Sequence, residues 1–352
     1  MHEIKNKKRI LIAPLNWGLG HATRCIPIIE AFLDNEFEPI IASDGVALAF
    51  LQKEFPELKC YSLPSYGIEY SKRNSQKFKL LLNTPHVIKA FLKEKKDVER
   101  IHKQECLSGI ISDNRFGVRN SGIPSIYITH QLNVLSGNTT FFTTCLHQKI
   151  ISKFDECWIP DSIIQPKLSG DLSVIKDKNL KIRYIGAISR LKKKPSRKKY
   201  DLMILLSGPE PQRTILEDKL LFELKEFNQK VLFVRGILTE KKKEISLKKV
   251  TVVNFMLTEE LEQALNDSEL VLARSGYSTI LDLAKLGKKA FFIPTPGQYE
   301  QEYLANRMKE LQIAPFENQE SFRIKMLNST ENYHGFTYLI DNNLPVDLFK
   351  LF

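Results

Sequence analysis

Cysteine is scarce in this chain and poorly arranged for cross-linking. The five cysteines, Cys25, Cys60, Cys106, Cys145 and Cys157, all fall in the first half of the 352 residues, and no pair has C-x-x-C spacing. An odd number without that spacing argues against a disulfide framework or a zinc site, and leaves reduced, mostly buried thiols as the expectation. Long hydrophobic runs are missing too, since none approaches the ~20 residues of a membrane-spanning helix. After a basic start the N-terminus offers only Ile10-Leu11-Ile12-Ala13 before Pro14, whereas a secretory signal needs ~7–15 apolar residues and a cleavage site. A cytoplasmic protein is therefore expected. Glycine and proline, at 16 each, are too few for a collagen-like or low-complexity chain, and 43% hydrophobic with 26% charged residues is a globular balance. The sequence brings no cluster of His, Asp and Glu together as a metal site, so neither a metal nor a cofactor is expected.

Charge is present but unevenly divided. Residues 1–199 hold 33 Lys/Arg and 19 Asp/Glu, a net of +14, while residues 200–352 hold 19 and 22, a net of −3. The two halves thus meet different partners. A basic half suits nucleic acid, anionic lipid or a phosphorylated small molecule. There is no aromatic-basic strand motif of the RNA-recognition type and no helix-turn-helix signature, so nucleic acid is not expected.

At ~150 residues per domain the length suggests two domains, and the pattern agrees. Short apolar runs at Arg9–Leu15, Pro39–Ala42, Gly109–Asp113 and Ser125–Thr129 alternate with helical stretches, the first with Ile26, Ile29 and Leu33 on one face. The pattern restarts at Asp201–Leu206, Lys230–Val234, Val250–Val253, Leu270–Ala273 and Ala290–Ile293. Apolar strands separated by helices indicate parallel sheets buried on both faces. The reading is α/β, with two doubly wound Rossmann-like domains facing across a cleft. An N-terminal domain at 1–190 is followed by a basic linker at 191–200, whose Lys192–Lys199 stretch carries six charges and a proline. The C-terminal domain covers 201–330, and the segment 331–352 is free to pack back on the N-terminal domain.

Three loops could carry chemistry. Gly18-Leu19-Gly20-His21 follows the opening strand, where two glycines let the backbone turn and expose N–H groups to an anion at a helix start. A dinucleotide fingerprint would need a third glycine where Thr23 stands, which makes a nicotinamide dehydrogenase a minor alternative despite Asp44 at the end of the second strand. In Arg274-Ser275-Gly276-Tyr277-Ser278-Thr279 a strand meets a helix among hydroxyl residues, the groups a diphosphate needs. Asp282 lies about two turns further, on nearly the same face as Ser275, in reach of ribose hydroxyls. Pro294–Tyr303 follows a strand at its carboxyl end, where Gln298, Glu300 and Gln301 suit sugar hydroxyls.

Together these loops resemble glycosyltransferases of the GT-B fold with a family 28-type C-terminal domain, whose best-known member adds N-acetylglucosamine to a lipid-linked peptidoglycan precursor. Gly18-Leu19-Gly20-His21 matches that family's first loop, short of one glycine. Arg274-Ser275-Gly276 with Asp282 matches its second, with Asp in place of the usual Glu. Gln301-Glu302 keeps the first amide of its Gln pair, Arg190 matches the arginine before its interdomain linker, and Ser207-Gly208-Pro209-Glu210 is similar to its donor-side loop. His130 and Asn133 share the outer residues of an acceptor-side His-Glu-Gln-Asn stretch. The resemblance implies a nucleotide-sugar donor, a UDP-sugar, on the C-terminal domain, a hydroxyl acceptor open to being lipid-linked on the N-terminal one, and a metal-independent mechanism. It points to His21 as the base, with Asp113 behind it to fix its tautomer.

The segment 72–100 holds nine Lys/Arg against three acids, interleaved with apolar residues. It reads either as an amphipathic surface for anionic lipid on the inner face of the membrane, or as a core-packed helix pair interrupted at Pro85. A nucleotide-sugar hydrolase or epimerase of the same fold, and a noncatalytic nucleotide-sugar-binding module, stay open as alternatives.

Overall fold

The computed structural model describes residues 7–67, 85–163, 166–174, 180–239, 241, 243–336 and 344–352. They form two compact units. The first holds the described residues up to Ile188 and returns at the C-terminus from residue 344, and the second begins at Ser189.

In the first unit the strands are β1 (Arg9–Pro14), β2 (Glu38–Ser43), β3 (Cys60–Ser62), β4 (Gly109–Asp113), β5 (Ser125–Ile128), β6 (Glu156–Ile159) and β7 (Ile182–Tyr184). They form one parallel sheet in the order β3-β2-β1-β4-β5-β6-β7. Its helices are α1 (Gly20–Asp34), α2 (Gly45–Glu54), α3 (Pro85–Glu105) and α4 (Thr140–Ile151). Leu11 and Ala13 pack with Ile40, Ile110 and the α3 residues Val98 and Ile101. Ile10 and Ile12, which alternate to the other face, are also fully buried. Burial on both faces is what wrote continuous apolar runs into these strands.

Two local expectations change. Leu33 is 39% exposed, and the buried stripe of α1 runs through Ile26, Ile29 and Phe32 instead. Pro85 opens α3 where the sequence suggested a break, because the first helical position needs no N–H and suits the fixed proline φ. Residues 72–84 of the basic segment lie outside the described residues.

The C-terminal residues complete this unit. Phe352 and Phe349 meet Phe32 edge-on, Phe352 also meets Trp158, and Lys8 Nζ donates to the Phe352 carbonyl at 2.6 Å. Gly109 makes the room, since a Cβ there would lie 2.0 Å from the Phe352 ring.

In the second unit β8 (Tyr200–Leu205), β9 (Val231–Val234), β10 (Glu244–Leu247), β11 (Val250–Val253), β12 (Ser268–Ala273) and β13 (Lys289–Phe292) are ordered β10-β11-β9-β8-β12-β13. All pairs are parallel except the edge hairpin β10–β11. Its helices are α5 (Gln212–Glu223), α6 (Thr258–Asn266), α7 (Tyr277–Leu286) and α8 (Tyr299–Glu310). The basic stretch 192–199 stays exposed but does not hang free. Lys192 N donates to Glu262, Lys194 N to the Asn266 side chain and Ser196 Oγ to the Asn266 carbonyl.

Strand order sets where each unit can bind. In the first sheet the winding reverses between β1 and β4, and in the second between β8 and β12. Ligands of open α/β sheets sit outside the carboxyl ends of the strands at such a point. Two of the four loops leaving these strands, after β1 and β12, are among those singled out in the sequence for their chemistry; the one after β8 carries Ser207-Gly208-Pro209-Glu210, and the one after β4 begins at Asp113. Among the described residues no helix is long and apolar enough to cross a membrane.

Candidate active site

In the first unit, β1 and β4 lie side by side with Pro14 opposite Asp113, and Leu15 N donates to the Asp113 carbonyl at 2.9 Å. The chain then turns through Gly18, whose φ of +73° only glycine adopts readily, and enters α1. His21, Arg24 and Cys25 are spaced i, i+3 and i+4, so the first turns of α1 present all three to one side. That side faces Asp113. His21 Nδ1 lies 2.8 Å from Asp113 Oδ1, Arg24 Nε donates to Oδ2 at 2.8 Å, and Arg24 Nη2 donates to Oδ1. The Cys25 thiol reaches Oδ2 at 3.6 Å.

Asp113 is fully buried. Burial alone would raise its carboxyl, but the Arg24 cation and then the His21 ring reverse that and hold it well below the ordinary carboxylate range. A permanent carboxylate can only accept, so it draws the imidazole proton to Nδ1 and leaves the lone pair at Nε2. His21, its side chain 13% exposed, can thus take a proton from a ligand.

His130 is buried with its Nδ1 2.9 Å from Arg24 Nη1. Asn133 serves its own fold: its amide donates to the carbonyls of Asp171 and Val174 at 2.6 and 2.7 Å. Asp44, the residue a dinucleotide reading would need for ribose, is engaged by Arg115 at 2.7 Å and by Asn16 at 3.1 Å.

In the second unit the loops after β8, β12 and β13 converge, and here two expectations are corrected. Arg274 does not present its guanidinium to a phosphate. It is 1% exposed. Nη1 donates to the carbonyls of Ile293 and Pro294 at 3.1 and 3.0 Å, and Nη2 to the Gln212 carbonyl at 3.0 Å and Gln319 Oε1 at 2.6 Å. Arg274 therefore ties the β13 loop to the start of α5. Ser275 is fully buried and donates to the Gln301 carbonyl at 2.7 Å, joining the start of α7 to α8. The physical reason is common to both: at a crowded junction of three loops, backbone carbonyls need donors, and these side chains supply them.

The half-exposed residues differ. Gly276 is the N-cap of α7, with Ser278 and Thr279 half-buried in its first turn, where helix N–H groups point outward without helical partners. Gly208, with φ +103°, stands beside Thr295, whose Oγ1 would lie 3.7 Å from a Cβ there. Glu210 accepts from Arg213 Nε at 2.6 Å and Thr214 N at 3.2 Å, which caps α5. Gln301 Oε1 accepts from Thr295 N at 2.8 Å, fixing the side chain at the loop. Gln298 caps α8 and Glu300 stands in its first turn. Asp282 is half-buried and accepts from Ser189 Oγ at 2.6 Å. Burial raises its carboxyl above the ordinary aspartate value, against the nearby Arg190 cation. Arg190 itself donates to Thr258 at 3.0 Å.

Arg24, Ser189 and Gln319 were missed from sequence. Arg24 left a trace, an arginine one turn after His21 inside an apolar helical stretch. Ser189 and Gln319 left none.

Two doubly wound sheets, each with polar loops gathered at the reversal of strand order, are the arrangement of the GT-B fold. Solved structures share the fold. The chain superposes on the crystal structure of Acinetobacter baumannii MurG with a TM-score of 0.55 at 14% identity, covering 93% of this chain and 92% of that one. For the glycosyltransferase of kitacinnamycin the TM-score is 0.61 at 13% identity, covering 92% and 89%.

Residues 211–329 match the glycosyltransferase family 28 C-terminal domain. Over 254 residues the chain is 21% identical to the UDP-N-acetylglucosamine--N-acetylmuramyl-(pentapeptide) pyrophosphoryl-undecaprenol N-acetylglucosamine transferase of Haemophilus ducreyi, covering 69% of this chain and 68% of that protein. The protein is a glycosyltransferase of GT-B fold whose residues 211–329 form a family 28-type C-terminal domain.

Proposed function

We propose that the protein moves a sugar from a UDP-sugar to a hydroxyl of a lipid-linked acceptor, with His21 as general base. The observation that carries this is the fixed imidazole: Asp113, buried and charged, accepts from Nδ1 at 2.8 Å and leaves Nε2 to the acceptor. His21 Nε2 takes the acceptor proton while that oxygen bonds the anomeric carbon. The bond from that carbon to the diphosphate breaks, and its electron pair leaves with the diphosphate. The N-terminus of α7, with Ser278 and Thr279, opposes the charge that develops there. Asp282 and Gln301 read the ribose and sugar hydroxyls. The name of the Haemophilus relative, which carries both a UDP-sugar and a pyrophosphoryl-undecaprenol acceptor, supports both substrate classes.

A lipid-linked acceptor calls for contact with the membrane surface. On α3, Ile88 and Leu92 are 54% and 53% exposed one turn apart, flanked by the exposed Lys89 and Lys93. Apolar side chains between lysines suit the headgroup region of an anionic bilayer.

Products are to be analysed with a panel of UDP-sugars, with and without a polyprenyl-diphosphate acceptor. Sugar release without an acceptor would instead mark a hydrolase. With a verified acceptor, His21→Ala is expected to lower turnover ~10²–10⁴-fold and leave donor affinity unchanged. Near-normal turnover would move the base elsewhere.

A further inference from the structure

Arg24 is a cation on the floor of the His21 site, its side chain 1% exposed. Its Nε and Nη2 engage the two oxygens of Asp113. Nη1 lies 2.9 Å from His130 Nδ1, and Nη2 lies 2.9 Å from His21 Nδ1. A guanidinium has five donors, no acceptor, and does not lose its proton in proteins. Each contact therefore has one chemical sense.

At His130 the nitrogen facing Arg24 must be the lone-pair nitrogen, which puts that ring's proton on Nε2. At His21 the same nitrogen has two neighbours of opposite character. If Nδ1 carries the proton it donates to Asp113, and Nε2 is basic. If Nδ1 is bare it accepts from Arg24, and the proton sits on Nε2, where it blocks proton abstraction. Asp113 wins this contest, because a hydrogen bond to a carboxylate is the stronger, but it is not alone with the imidazole. Arg24 already balances its charge.

We propose that Arg24 is a positioning residue that fixes His130 as an Nε2–H donor and offsets the charge of buried Asp113, while the Asp113 carboxylate holds the His21 proton at Nδ1. The catalytic consequence rests on the reading of His21 as base, whereas the two tautomers do not. Without Arg24, the Asp113 carboxylate would keep only its contacts to His21 and the Cys25 thiol among the described side chains. Among the described residues, the titratable groups that hydrogen bonds link to the ring and its partners are Arg24 and Cys25 of α1, Asp113 at the end of β4 and His130 after β5. Burial, with Asp113 beside it, pushes the Cys25 thiol well up, so it stays neutral.

The full chain labelled with 15N-histidine tests this by NMR, which separates Nδ1–H from Nε2–H rings, with His21→Ala and His130→Ala giving the assignments. The wild type is expected to show Nδ1–H at His21 and Nε2–H at His130. Arg24→Met should release the His130 tautomer, while His21, still facing Asp113, stays Nδ1–H. Arg24→Lys keeps the charge but not the fork, so it should release His130 as well. Should Arg24→Met not fold with its stranded carboxylate, the double variant Arg24→Met/Asp113→Asn removes both charges and must still release His130. An Nδ1–H ring at His130 in the wild type, or a His130 tautomer unmoved by Arg24→Met, overturns the proposal. So does an unchanged His130 tautomer in the double variant. Normal tautomer behaviour with full turnover in His21→Ala would leave the Arg24 assignment standing and remove only the base reading.

Discussion

Replacing Arg274 separates a loop staple from a phosphate ligand. Arg274→Met keeps much of the apolar stem but removes the donors to the Ile293, Pro294 and Gln212 carbonyls and to Gln319. Each buried acceptor left unmade costs about 1–3 kcal/mol, and part of that is recovered where water or a small backbone shift reaches the group. A net loss of about 3–5 kcal/mol is expected, comparable to breaking a buried charged pair. For a domain of this size that is roughly 6–20 °C in melting temperature. Denaturant unfolding of the full chain reads the loss in the transition of the second unit. Calorimetric titration with UDP, well below that transition, should find the affinity of the folded protein little changed. The opposite pattern, stability held within about 1 kcal/mol and affinity down about tenfold or more, would show that the guanidinium meets the phosphate after all.

Ser278→Asp puts a carboxylate in the first turn of α7, where the helix favours it by about 0.3–1 kcal/mol; stability should hold or rise while UDP affinity falls about tenfold, and equal affinity in calorimetry would move the diphosphate elsewhere. Lys288 shares the Asn266 and Ser268 carbonyls with Lys198, and burial, then Lys198, pull its ammonium down to about 7. Between that pH and the ordinary lysine value of 10.5 the unfolded chain holds the extra proton, so stability should rise with pH across this window. Urea midpoints from about pH 7 to about pH 9.5 check it, and Lys288→Met should flatten the slope. Co-sedimentation with anionic vesicles should weaken in salt and when Lys89 and Lys93 are neutralised or Ile88 and Leu92 become serine; binding indifferent to all three would exclude α3 as the contact.

The sequence by itself determined the two parallel sheets and the loops that matter. A strand buried on both faces is apolar along most of its length, so β1, β2, β4 and β9 are legible as runs, and the glycines at Gly18, Gly208 and Gly276 mark where strand becomes loop or helix. The short strands β3 and β7, three residues each and mostly only partly buried, leave no such run, and neither they nor β6 and the edge strand β10 were read. His21 and Asp113 were paired through the resemblance to GT-B enzymes, and it is the strand order of the fold that brings the ends of β1 and β4 together. What a side chain does once it arrives was decided only by the tertiary structure. Arg274 and Ser275 had the right chemistry for a diphosphate, but carbonyls from β13 and α8 reached them first. Arg24 and Asp113 are 89 residues apart, and Ser189 and Asp282 are 93 apart. A hydrogen bond is settled by which atom stands within about 3 Å. Across such separations in sequence, only the packed fold fixes that distance.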